Sequence, residues 1–91
     1  MENTNGTTNK YRKFMTMIKF LRNELLNYEK YYSNDVLNSE GRKIFEQIAR
    51  ICIICNFPMK SMIGKVRRKP TYENVLKFLS ALDDAIRQLS E

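Results

Sequence analysis

Histidine and tryptophan are missing from this 91-residue chain, and proline, glycine and cysteine are scarce. Without histidine there is no imidazole metal ligand, no histidine general base and no Ser-His or Cys-His nucleophile pair. Two prolines and three glycines leave room for few tight turns, which favours long helices over many short strands. No Gly-rich phosphate loop is present. Apolar runs stay well short of the ~18 residues that span a bilayer. Residues 1–9 (MENTNGTTN) carry no apolar core of the kind a signal peptide needs. The expectation is a non-enzymatic protein with no cofactor and no metal, kept in the cytoplasm and not inserted in a membrane.

What is present is positive charge and helical periodicity. Sixteen Lys and Arg against ten Asp and Glu give +6. Such an excess suits nucleic acid, an anionic membrane surface or an acidic protein. It also serves plain solubility. At 43% hydrophobic and 11% aromatic the chain can build one small core, so a single domain over 10–91 is expected behind a flexible tail over 1–9.

Phe14, Ile18, Leu21, Leu25, Tyr28 and Tyr32 recur at three- and four-residue steps and predict a helix from about Lys10 to Tyr32. Ser33-Asn34-Asp35 reads as a turn, after which Val36 and Leu37 return to the core. Asn38 or Ser39 caps a second helix, about Glu40 to Cys55, with Ile44, Phe45, Ile48, Ile51, Cys52 and Cys55 on one face. Ile53 and Ile54 extend that face nearly all round, making this the segment expected to be most buried. Met59, Met62, Ile63 and Val66 predict a short helix between Pro58 and Val66, followed by a basic connection ending in Pro70. Thr71 caps a last helix in which Val75, Leu79, Leu82, Ile86 and Leu89 keep a near-heptad rhythm. The fold class is therefore all-α: a small antiparallel bundle of three long helices plus a short one.

The candidate nucleic-acid-binding residues are Lys60, Lys65, Arg67, Arg68 and Lys69, joined by Lys10, Arg12 and Lys13 at the start of the first helix. Phosphate contacts from such a set give affinity with little sequence choice. The plain alternative is a solvated, charged loop. Cys52 and Cys55 match C-x-x-C, but zinc needs four ligands and the chain has no others of that kind. They read as two small core residues, the alternative being a metal or disulfide shared between two copies. The tyrosines could stack on bases, though half-buried packing is their commoner use. The heptad-like last helix allows a homodimer.

The run Val66-Arg67-Arg68-Lys69-Pro70-Thr71 through Ala81-Leu82 resembles the segment after the recognition helix in phage-repressor and Cro-type helix-turn-helix proteins. There a basic loop ending in proline precedes Ser/Thr and a helix ending in Ala-Leu. Upstream, Cys52 or Ile53 stands where a small residue and a turn glycine belong, and Pro58 falls near the start of the reading helix. The family is therefore not adopted. In size, charge and helix count the chain is also similar to bacteriocin immunity proteins, which are cytosolic antiparallel helical bundles. That similarity makes a protein-binding inhibitor or immunity-like factor, whose helical face docks on a partner through an exposed apolar patch, the second functional expectation; an acidic protein surface is the partner expected in place of nucleic acid.

Overall fold

The computed structural model describes the chain from residue 2 to 90, with side chains from 12 to 88. The tail expected over 1–9, together with Lys10 and Leu89, lies outside the residues whose side chains are described. The elements are α1 (Glu2–Leu25), α2 (Tyr28–Tyr31), β1 (Tyr32–Ser33), β2 (Val36–Leu37), α3 (Ser39–Ile54), α4 (Lys60–Arg68) and α5 (Tyr72–Ser90). The all-α class holds, with the three long helices and the short fourth in the predicted order.

The predicted first helix stops seven residues early. The amides of Leu26 and Asn27 fold back to the carbonyls of Asn23 and Glu24 at 3.2 and 3.0 Å, tightening the last turn. Asn27 then turns extended, and its side chain accepts a hydrogen bond from the Lys30 amide at 3.2 Å, starting the single turn of α2. The apolar rhythm ran past this break because Tyr28 and Tyr32 are still packed, although on a different element.

Asn34 and Asp35 have φ of 52° and 69°, the left-handed pair that a two-residue type I′ hairpin requires. Tyr32 pairs with Leu37 and Ser33 with Val36. This two-stranded ribbon was not predicted, since four strand residues leave no periodic signature. Asn38 follows and does three things at once. Its carboxamide oxygen caps α3 at the Gly41 amide (2.8 Å), its side-chain NH2 donates to the Lys30 carbonyl (2.9 Å), and its own amide donates to the Tyr31 carbonyl (2.9 Å).

At its far end α3 closes with Asn56 at φ 59°. The Phe57 amide reaches the Cys52 carbonyl at 2.9 Å, and the Asn56 amide reaches that of Ile53 at 3.1 Å. Both bonds of a Schellman motif are thus present, with asparagine in the left-handed place where glycine is commonest. Pro58 and Met59 lead into α4. At the start of α5 the Thr71 hydroxyl accepts from the Asn74 amide at 3.2 Å, as its position predicted.

Side-chain pairs fix the directions. Tyr28 meets Tyr72 and Arg22 meets Asp83, so α1 and α5 run antiparallel. Glu46 meets Arg67, so α3 and α4 are joined near the α4 C-terminus, while the α4 N-terminus lies beside the end of α3. The core between them includes Ile18, Leu25, Ile48, Cys52, Phe78 and Leu82, all fully buried. Phe45 and Phe78 pack edge to face, 5.0 Å between centroids, where α3 crosses α5. Val75, Leu79 and Leu82, the heptad-like face of α5, are inside this core. The isoleucine-rich middle is helical, but its end is not the most buried segment: Ile53 and Ile54 are 66% and 53% exposed. They lie on the last turn of α3, on the side opposite Cys52 and Cys55.

Candidate functional site

Half of the predicted basic connection is helix. α4 runs on through Val66 to Arg68, placing Lys65, Arg67 and Arg68 in its last turn, where the helix dipole favours cations. The helical turn also divides the set. Lys65, Arg68 and Lys69 border one surface groove together with Lys77 from α5, a residue outside the candidate set whose place on this groove depends on the fold. Lys60 and Arg67 turn toward α3 and border another.

The first groove sits where α4 ends and α5 begins. Its wall also holds Thr71, Asn74 and two carboxylates, Asp35 from the hairpin tip and Glu73. Glu73 pairs with Lys77 at 3.2 Å within α5. Lys65, Arg68 and Lys69 make no ion pair among the described residues, and all three are exposed. The corner that carries them is held rigidly. The Leu37 amide donates to the Pro70 carbonyl at 2.9 Å, and the Tyr72 amide to the Asp35 carbonyl at 3.0 Å. Val36 and Thr71 form a single antiparallel bridge. The Asn74 side chain adds a bond to the Lys69 carbonyl at 2.8 Å.

Arg67 is engaged differently. Its Nε and Nη2 donate to both oxygens of Glu46 at 3.0 and 2.7 Å. That fork holds the Glu46 carboxyl below its ordinary pKa and lifts the Arg67 guanidinium above its own. Arg67 is therefore a link between α4 and α3 before it is a phosphate contact.

Arg12 and Lys13 are exposed on α1. Going from Arg22 back to Arg12 covers about 15 Å of helix, and going from Thr71 on to Asp83 covers about 18 Å, at ~1.5 Å per residue. Because Arg22 and Asp83 touch, the two basic groups stand roughly 30 Å apart along the bundle rather than side by side.

Tyr28, Tyr31, Tyr32 and Tyr72 are engaged in packing and hydrogen bonds. Tyr28 stacks on Tyr32 at 5.3 Å, and Tyr72 meets both rings edge-on at 4.8 and 5.0 Å. The Tyr28 hydroxyl donates to Asp35 (3.0 Å), that of Tyr31 to Glu24 (2.6 Å), and that of buried Tyr32 to the Leu25 carbonyl (2.9 Å). The carboxylate bonds raise the pKa of Tyr28 and Tyr31, and burial raises that of Tyr32 further. The trio joins the end of α1, the hairpin and the start of α5.

Cys52 and Cys55 are buried free thiols. Burial, helped by the neighbouring Cys55, pushes the Cys52 thiol up to about 12, which suppresses the reactive thiolate. Among the described residues no cluster of three or more His, Cys, Asp or Glu could hold a metal, and no helix is long and apolar enough to cross a membrane.

No protein family, curated protein or solved structure matches the chain.

Proposed function

We propose that the protein is a non-catalytic binding module that grips a polyanion, nucleic acid first among them, at the corner between α4 and α5. The observation that carries this reading is the set Lys65, Arg68 and Lys69: three exposed cations on one groove, without ion pairs among the described residues, on a backbone pinned by the hairpin. Lys77 completes the groove from α5. Arg12 and Lys13, with Lys10 beside them in sequence, form a second positive group farther along the bundle. Cations held on a fixed frame neutralise phosphates in register without reading bases.

Fluorescence anisotropy with a labelled DNA duplex tests it. Three phosphate contacts give a slope of log affinity against log salt near −2.7, about a 40-fold loss between 50 and 200 mM. Changing Lys65, Arg68 and Lys69 together to Gln should remove most of that slope, whereas changing Lys43, which pairs with Glu40, should leave it in place. Absence of binding at low salt, or a slope indifferent to the triple substitution, ends the reading.

A second reading, a protein-binding factor, is favoured by a separate observation: the exposed Ile53 and Ile54 on the last turn of α3. A monomer gains nothing by leaving two adjacent isoleucines in water.

A further inference from the structure

Between the end of α3 and the start of α4 lies a surface groove of about 510 Å³. Its apolar lining comes from Cys52, Ile53, Phe57 and Ile63. Along α4, Lys60, Gly64 and Arg67 border it at helical spacing, one turn apart.

Gly64 is the unusual part. It stands inside α4, where glycine weakens a helix. Among the described residues nothing demands it. A Cβ built there would meet one neighbour only, the tip of the Arg68 side chain at 3.7 Å, which is ordinary contact. At Gly41, by contrast, a Cβ would press on the Tyr31 carbonyl oxygen at 2.6 Å. A helix glycine with open space above it, on the wall of an apolar groove, leaves room for another backbone to come close.

The surrounding charge has one dominant sign. Arg50 and Lys60 make no ion pairs among the described residues, and Glu46 is already matched by Arg67. Outside this face, Glu73, Asp83 and Asp84 lie on α5 and Glu24 on α1. An occupant whose apolar side enters the groove therefore meets cations at its margins.

We propose that this groove is a docking site for an acidic amphipathic helix of a partner protein. The helix crosses α4 at Gly64, puts apolar side chains against Ile53, Phe57 and Ile63, and sets carboxylates toward Lys60 and Arg50. This is helix-in-groove recognition, with a small residue where the two backbones approach. It deepens the protein-binding reading and uses none of the residues of the polyanion corner.

The test is an NMR titration of the ¹⁵N-labelled full chain with a synthetic amphipathic helical peptide, leucines on one face and glutamates on the other. Amide shifts should concentrate at Ile53, Phe57, Lys60, Ile63 and Gly64. Gly64→Leu fills the gap while strengthening helix α4, so circular dichroism should stay native while affinity falls at least ~10-fold. Lys60→Glu should weaken the glutamate peptide and improve a control peptide with lysines in place of the glutamates. Equal binding of the two peptides to the unaltered protein overturns the proposal, as does full binding to Gly64→Leu. So does a DNA duplex or a second copy of the chain that shifts the same amides. Peptide shifts that map elsewhere sink the groove but leave protein binding standing, and no binding at all removes both.

Discussion

Gly41 and Gly64 show how one residue type serves opposite ends. At Gly41 the first turn of α3 presses against the end of α2 and the hairpin. A methyl group there would lie 2.6 Å from the Tyr31 carbonyl oxygen and 2.7 Å from Leu37 Cδ2. Gly41→Ala should destabilise by about 1–3 kcal/mol, the usual cost of forcing volume into a packed site. At Gly64 the same change meets open space and improves helix propensity, so it should stabilise by about 0.5–1 kcal/mol. Urea melts of the two variants give the comparison, and a loss of stability in Gly64→Ala would reveal a packing demand that the open space denies. In the sequence both look like weak points of a helix. Which of them is obligatory depends on Tyr31 and Leu37, neighbours that only the fold supplies.

At the level of elements, α3 and α4 are tied by the fork between Glu46 and Arg67. Both side chains remain about half exposed, so solvent screening limits the pair to below about 1 kcal/mol. The folded Glu46 carboxyl titrates below its unfolded value because Arg67 favours the charged form. Its contribution is therefore complete above the ordinary glutamate range, near pH ~4.3, and fades as the pH drops through the lower folded value. Glu46→Gln should lower the melting temperature slightly at neutral pH and match the unaltered protein in strong acid. A deficit that persists at low pH would mean that packing, not charge, joins the helices. Helix type and order were legible because Ile18, Leu21, Ile48, Val75 and Leu79 keep a clean period. The break at Leu26 and Asn27 was not, since it depends on one carboxamide choosing the Lys30 amide over solvent. The split of the basic run between two grooves is hidden as well, because Pro70 and the charge run make Arg67 and Arg68 look like loop. One further helical turn sends neighbours in sequence to different sides.

For the whole molecule, the free thiols report on cooperativity. Cys52 is fully buried and Cys55 nearly so, both against the common core, and burial holds their thiols protonated. A water-soluble disulfide reagent should leave the native protein essentially unlabelled. In denaturant both thiols should become reactive along the same curve as the loss of helical circular dichroism. Early labelling of Cys55 would show the last turn of α3 opening by itself. The core residues were readable from spacing, whereas the groove beside them was not. Its lining includes Ile53, which the helical stripe assigns to the interior, and only the observed path of α4 shows that none of the described residues covers it.

The two amide-to-carbonyl links between residues 35–37 and 70–72 reach beyond local order. A joint made of main chain depends on register, so one inserted residue on either side would throw both links out of step. With the two halves of the chain clasped at this end, any swing of the α3–α4 pair is smallest at the clasp and widest at the opposite tip, where the paired isoleucines stand.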